Sequence, residues 1–220
     1  MDISIMDVIG PVMIGPSSSH TAGAARLGAA ASSLCESTFN KVEFGLHGSF
    51  AKTYRGHGTD LALLAGVLGM GPEDERIPDA FQIAQEKGVS WNFYETILDN
   101  VHENAVEIQL FDDDKKVLDM VGSSIGGGRI LINKLNDCRI DLSAELPAIV
   151  IHHLDRKGVI HKITSVLVEE DMNVGTLKLT MTTKGDHALS IIEVDEPVEA
   201  HVIERLSGLT YVISVQAVQI

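Results

Sequence analysis

From Ala148 to Ile220 the spacing of apolar side chains switches repeatedly between two periods, and no other stretch of the chain restricts the fold as much. AIVIHHL from Ala148, NVGTLKLTMTT from Asn173, HALSIIEV from His187 and YVISVQAVQ from Tyr211 read as strands. Between them, VIHKITSVLVEE from Val159 and VEAHVIERLSG from Val198 repeat at the helical period. The order is βαββαβ, with Asp155-Arg156-Lys157-Gly158 at its first turn and Lys184-Gly185-Asp186 at its hairpin. Helix stripes and sheet faces must each bury their apolar side, so this order predicts two layers, with both helices on one face of an antiparallel sheet. Leu146-Pro147 marks where the unit begins, which gives a second domain over 148–220 and a first over 1–145.

The first domain carries a different signature. His20 to Ser37 is rich in Ala and follows Pro16-Ser17-Ser18-Ser19, a run that offers N-cap hydroxyls and a nearby proline. The reading is a helix over 20–37 with Cys35 in its interior, and its side chains are so small that it must pack very closely on a neighbour or on another chain. Val42 to Gly48 reads as a buried strand, Asp60 to Met70 as an apolar helix stopped by Gly71-Pro72, and Asp79 to Gly88 as a helix with a glycine end. Val89 to Thr96 and Ala105 to Phe111 read as strands. Beyond a charged turn at 112–115, Lys116 to Ile125 and Arg129 to Leu135 continue the sheet around Gly126-Gly127-Gly128. The element order is α/β in the first domain, and the class of the whole chain is α+β.

Thirty-one acidic against 17 basic residues give a formal net charge of −14, which argues against a phosphate backbone or an anionic membrane surface as partner. The excess is spread, with 19 acidic and 11 basic residues in 1–140 and 12 and 6 in 141–220, so it is not a tail. The start, MDISIMDVIG, lacks a basic n-region, and no apolar run reaches the roughly 18–20 residues of a membrane span; the expectation is a cytoplasmic protein.

Three clusters carry candidate chemistry. In Ser17-Ser18-Ser19-His20-Thr21, hydroxyls and an imidazole meet a helix N-terminus, which suits a small carboxylate beside a carbon that loses a proton; a serine run there equally serves as a simple cap. A histidine in a first helical turn is disfavoured as a cation, so His20 is expected to be a neutral base. The second stretch, from Leu46 to Asp60, reads as a loop between strand and helix holding His47, Lys52, Arg55 and His57, with Thr59 and Asp60 as caps or as site residues. The third, Ser123 to Arg129, reads as an anion nest at Gly126, Gly127 and Gly128, or as a bulge or hairpin. Asp112-Asp113-Asp114 reads as an exposed turn rather than a metal site, and His152, His153 and His161 as surface or packing residues, because neighbours in a strand face opposite ways.

GPSSSHTAG (15–23), LHGSFAKTYRGHGTD (46–60) and SIGGG (124–128), in that order, resemble the beta chain of iron–sulfur-dependent bacterial L-serine dehydratases, over about residues 1–140. The first domain is also similar to the allosteric substrate-binding domain of certain 3-phosphoglycerate dehydrogenases. The tail resembles an ACT domain of ferredoxin-like build, a type associated with amino-acid sensing and pairing of copies. The resemblance implies conversion of L-serine to pyruvate and ammonia, hence amino-acid degradation and gluconeogenesis. It also implies a 4Fe-4S cluster ligated by a separate alpha chain, with no metal ligand in this chain. Two cysteines, Cys35 and Cys138, far apart in sequence, do not make the three or four thiolates such a cluster needs. Pyridoxal phosphate is the other route to serine dehydration, but Lys52 stands one position late for that lysine motif.

By the same resemblance, His20 is the base from this chain. Ser17, Ser18, Ser19 and Thr21 hold the substrate carboxylate or order the loop, His57, Thr59 and Asp60 complete the pocket or orient His20, and Gly126, Gly127 and Gly128 let the backbone close on it. In the tail, Asp155, Gly158 and Asn173 are the effector-binding candidates, with assembly of copies as the alternative role. A non-catalytic, amino-acid-binding regulatory subunit is the alternative for the whole chain.

Overall fold

Small residues decide how the first layer closes. In the computed structural model, which describes residues 12–181 and 186–220, helix α1 (Ala24–Leu34) crosses α3 (Thr59–Val67) almost backbone to backbone. A Cβ added to Gly28 would stand 2.3 Å from the Leu63 carbonyl oxygen, and one on Gly66 would stand 2.0 Å from that of Ala25. The tight packing expected of the Ala-rich helix is met within the chain itself. The helix is shorter than predicted: a π turn (Ser18–Gly23) precedes it, and Cys35, expected inside, follows its last turn and donates to Ser37 O.

Behind these helices lies a six-stranded sheet of β1 (Lys41–Leu46), β2 (Ser90–Glu95), β3 (Ala105–Asp112), β4 (Lys115–Gly126), β5 (Arg129–Leu135) and β6 (Cys138–Leu142), ordered β2-β1-β3-β4-β5-β6. Only the β1–β2 pair is parallel, so the sheet is mixed. The crossover between those two strands runs through three α-helices, the last of them α4 (Ala80–Glu86). Two elements differ from the sequence reading. The stretch read as a loop after β1 is helix α2 (Gly48–His57), in which only Phe50 is buried; its glycines at 48, 56 and 58 hid a helical face. Strand β6 is short and begins directly after Asn136-Asp137, a turn signal that ended the predicted sheet early.

The second unit has the βαββαβ order read from its spacing: β7 (Ala148–Leu154), α5 (Val159–Glu169), β8 (Val174–Met181), β9 (His187–Val194), α6 (Ala200–Ser207) and β10 (Val212–Val218). Its four strands lie in the order β10-β7-β9-β8, all antiparallel, which is the ferredoxin-like arrangement. Lys184 and Gly185 of the predicted hairpin turn, and the segment MDISIMDVIG, lie outside the described residues. Ile149, Ile151, Ile192 and Val194 turn toward α5 and α6. The opposite face is not open: Ala148, Val150, Leu189, Ile191 and Val218 enter the core of the first unit, and α1 packs on β10. The expected two layers are therefore three, because alternate residues of one strand serve two cores. No helix among the described residues is long and apolar enough to cross a membrane.

Candidate active site

The π turn sets the first half of the site. Ser17 caps it, its Oγ accepting from the His20 N–H at 3.2 Å, and the same hydroxyl lies 3.4 Å from His20 Nδ1. A π turn is wider than an α turn and is common at functional positions. Its inner residues Thr21, Ala22 and Gly23 are buried, and β4 closes over it: a Cβ on Gly23 would meet Ser124 Oγ at 2.1 Å.

Helix α2 supplies the second half. Ser49 and Thr53, one turn apart, approach the far edge of the same imidazole, with Ser49 Oγ 3.4 Å and Thr53 Oγ1 3.1 Å from His20 Nε2. The Thr53 hydroxyl donates to Ser49 O at 2.8 Å. One turn further on, His57 Nδ1 lies 3.3 Å from Thr53 O. A carbonyl only accepts, so Nδ1 carries the hydrogen and the lone pair of His57 resides on Nε2. The two imidazoles stand 4.8 Å apart, centroid to centroid, and Phe50 meets His20 edge-on at 5.2 Å. Burial first, and then the neighbouring His57, hold the His20 imidazole below the usual histidine pKa. The neutral form expected from sequence is thus favoured, through desolvation and a second imidazole rather than through a helix end.

His57 lines a cleft of about 230 Å3 together with Pro16, Thr21, Gly58, Leu61 and Ile77. Thr21 is 2% exposed, and its Oγ1 has no hydrogen-bond partner among the described residues; the buried hydroxyls of Thr59 and Ser124 share this condition. An unpaired buried hydroxyl costs free energy, so Thr21 Oγ1, enclosed against Gly15, is an unsatisfied group beside the cleft. Asp60 is half-buried; desolvation pushes its carboxyl above the usual range, opposed by the Leu61 N–H at 3.0 Å and by Arg55.

Of the predicted residues, the fold brings Ser17, His20, Thr21 and His57 together. Ser18 and Ser19 belong to the π turn, where their side chains make no hydrogen bond among the described residues. Thr59 and Asp60 begin α3 directly behind His57. Gly126, Gly127 and Gly128 make no nest: all three have positive φ (99°, 63° and 78°) and form the tight β4–β5 hairpin, and Gly128 O accepts from Arg26. Sequence reading missed Ser49 and Thr53; their i, i+4 spacing was visible, but only as a face of a helix that had been read as loop. Lys52 is exposed, and Arg55 lies over Tyr54 instead of facing the histidines.

In the second unit, Asp155 and Gly158 follow the end of β7, where β9 begins, whereas Asn173 precedes β8, beside the end of β9. These effector candidates therefore stand at opposite ends of the sheet, about 20 Å apart by strand rise. Asn173 bonds Asp195 at 2.7 Å. Of the histidines read as packing or surface residues, His153 is buried against Ser190 at 2.8 Å, while His152 meets His187, with Nε2 and Nδ1 3.0 Å apart. Cys138 is buried, Cys35 is half-buried, and no three or more His, Cys, Asp or Glu side chains among the described residues converge as a metal site. These thiols do not fit a four-iron cluster held by this chain.

Comparison with known proteins places this geometry in context. The family model "Serine dehydratase beta chain" matches residues 4–89. The chain is 44% identical over 212 residues to the probable L-serine dehydratase beta chain of Bacillus subtilis, covering 96% of each chain. It is 37% identical to the L-serine dehydratase beta chain of Peptoniphilus asaccharolyticus, covering 94% of each. It is 22% identical to the D-3-phosphoglycerate dehydrogenase of B. subtilis, over 90% of this chain and 37% of that protein. Among solved structures, the ACT domain from GTP pyrophosphokinase of Chlorobium tepidum matches 32% of this chain and 94% of its own, at 20% identity and a TM-score of 0.27.

Proposed function

Because the chain belongs to the L-serine dehydratase beta-chain family, we propose that it is the beta subunit of a cytoplasmic L-serine ammonia-lyase that acts together with an alpha subunit. The observation that carries the reading is His57 on the wall of a cleft with room for a small amino acid, its Nδ1 3.3 Å from Thr53 O, a contact that favours the tautomer with the lone pair on Nε2. Serine must lose its α-proton and its β-hydroxyl, giving 2-aminoacrylate and water; the imine tautomer then hydrolyses to pyruvate and ammonia. In this scheme His57 Nε2 accepts the α-proton, taking the role that sequence reasoning gave to His20. His20 has hydroxyls at both ring nitrogens and is held neutral, so it supports His57 without opposing its protonation by a second positive charge. The Ser17–Ser19 run binds the substrate carboxylate, and Thr21, whose hydroxyl is enclosed, orders the turn. In this reading a 4Fe-4S cluster is carried by the alpha chain, which agrees with the two separate thiols of this chain being unsuited to hold one.

The test is anaerobic co-purification with the neighbouring alpha chain and assay of pyruvate from L-serine, with His57→Gln beside the wild type. Turnover in the wild-type complex, lost in the variant with assembly intact, is the expected result; full turnover in the variant overturns the assignment. The partial likeness to a phosphoglycerate dehydrogenase favours a second reading, a serine-binding regulatory subunit, which the same assay identifies as binding without turnover.

A further inference from the structure

We infer that Thr53 is a positioning residue that fixes the tautomer of His20, and through it the direction of the hydrogen bond from Ser17. The inference rests on the proposed role of the His20–His57 pair. Thr53 Oγ1 has one hydrogen, and that hydrogen is committed to Ser49 O at 2.8 Å, the shorter of its two contacts and the usual back-bond of a helical threonine. Toward His20 Nε2, at 3.1 Å, the oxygen therefore presents lone pairs. Two lone pairs facing each other at that distance repel, so Nε2 must carry the hydrogen of the neutral imidazole. Ser49 Oγ, 3.4 Å from the same nitrogen, is a second acceptor.

The rest follows by elimination. With Nε2 protonated, Nδ1 of His20 holds a lone pair, and it faces the Ser17 hydroxyl at 3.4 Å. Ser17 Oγ already accepts from the His20 backbone N–H, so its own hydrogen is free to point at Nδ1. In this arrangement the Ser17 O–H has Nδ1 as its acceptor and Nε2–H has Thr53 Oγ1. The opposite tautomer satisfies the ring only if Thr53 surrenders its bond to Ser49 O or if Ser49 rotates to donate. Thr53 also presents, through its carbonyl, the acceptor that fixes His57. One residue thus sets both rings by two different atoms, and a substitution of its side chain separates the two effects, because the carbonyl remains.

The experiment uses full-length chain labelled with 15N-histidine, read by two-bond proton–nitrogen spectra, and the same variants in the alpha–beta complex. Wild type and Thr53→Ser should show His20 as the Nε2–H form. Thr53→Val should move His20 toward Nδ1–H, leave the His57 tautomer unchanged, and lower kcat about tenfold with KM for L-serine within about threefold. Thr53→Ala serves if the valine variant does not fold. A wild-type His20 in the Nδ1–H form, a tautomer insensitive to loss of the hydroxyl, or a changed tautomer with unchanged kcat each overturns the inference. The nitrogen spectra need no turnover: a complex inactive toward serine in which the tautomers behave as stated refutes the proposed function and not the hydrogen-bond assignment.

Discussion

Two pairs of histidines face each other among the described residues, and they are not equivalent. His20 and His57 stand 4.8 Å apart and His152 and His187 5.0 Å apart, at similar tilts of 33° and 36°. In each pair burial holds one member, His20 or His152, below the usual histidine pKa, with the second imidazole adding to the effect. By separation and by pKa alone the pairs look the same. They differ in where the lone pairs go. His187 Nδ1 and His152 Nε2 lie 3.0 Å apart, so one donates to the other and one of the two imidazole lone pairs is taken up within the pair. At the first site no hydrogen bond joins the two rings; hydroxyls and a carbonyl stand at their nitrogens, and His57 lines the cleft. A perturbed histidine does not by itself mark a site; what surrounds both rings of the pair decides what it can do.

The sharpest way to break this contrast is paired substitution. His57→Gln should lower kcat of the alpha–beta complex about 10²–10⁴-fold, the range typical of a lost general base, whereas His187→Gln should change it less than about threefold. Equal losses from the two variants would mean that the lone-pair distinction does not matter. The stability effect is smaller and runs the other way. Removing His187 leaves a half-buried His152 nitrogen without that partner between the units, beside Glu36 and Ser214, and should lower unfolding free energy in urea by about 1 kcal/mol. His57→Gln should cost less than half of that. The smallest effect is on pH dependence. Both His20 and His152 bind protons more weakly folded than unfolded, so stability rises with pH between their lowered values and the ordinary value near 6.5. Melting temperatures taken from about pH 5 to 7 should climb, and His152→Gln should flatten the climb without touching activity. His201, held above the usual histidine pKa by Glu170, opposes the climb, so the difference between wild type and His152→Gln is the test: a variant that keeps the wild-type slope contradicts the direction of the His152 shift.

Much of the architecture was legible because it rests on period. The tail's strands and helices follow from apolar spacing, and the Ala-rich run announced close helix contact, which Gly28 and Gly66 provide. The site was legible only in part. Ser17, His20, Thr21 and His57 stand out by residue type, but Ser49 and Thr53 matter through a helical face that glycines at both ends concealed. The role of Gly128 turned on where one carbonyl points, and composition holds no record of that. Asp155 and Asn173 look like neighbours in a turn-and-strand motif, yet the intervening helix carries the chain back along the sheet before Asn173 is reached.

The second sheet gives alternate residues of β7 and β9 to two different cores, and this bears on how such chains are inherited. A module that recombines freely needs a sealed surface at its seam. Here a crossover anywhere in the connection 143–147 would part Val150, Ile191 and Val218 from Leu27, Leu34 and Leu142, which complete the same interior. Hybrids between distant relatives should fold only when both sides of that seam come from one parent, so the tail and the dehydratase-type unit are expected to have diverged in step.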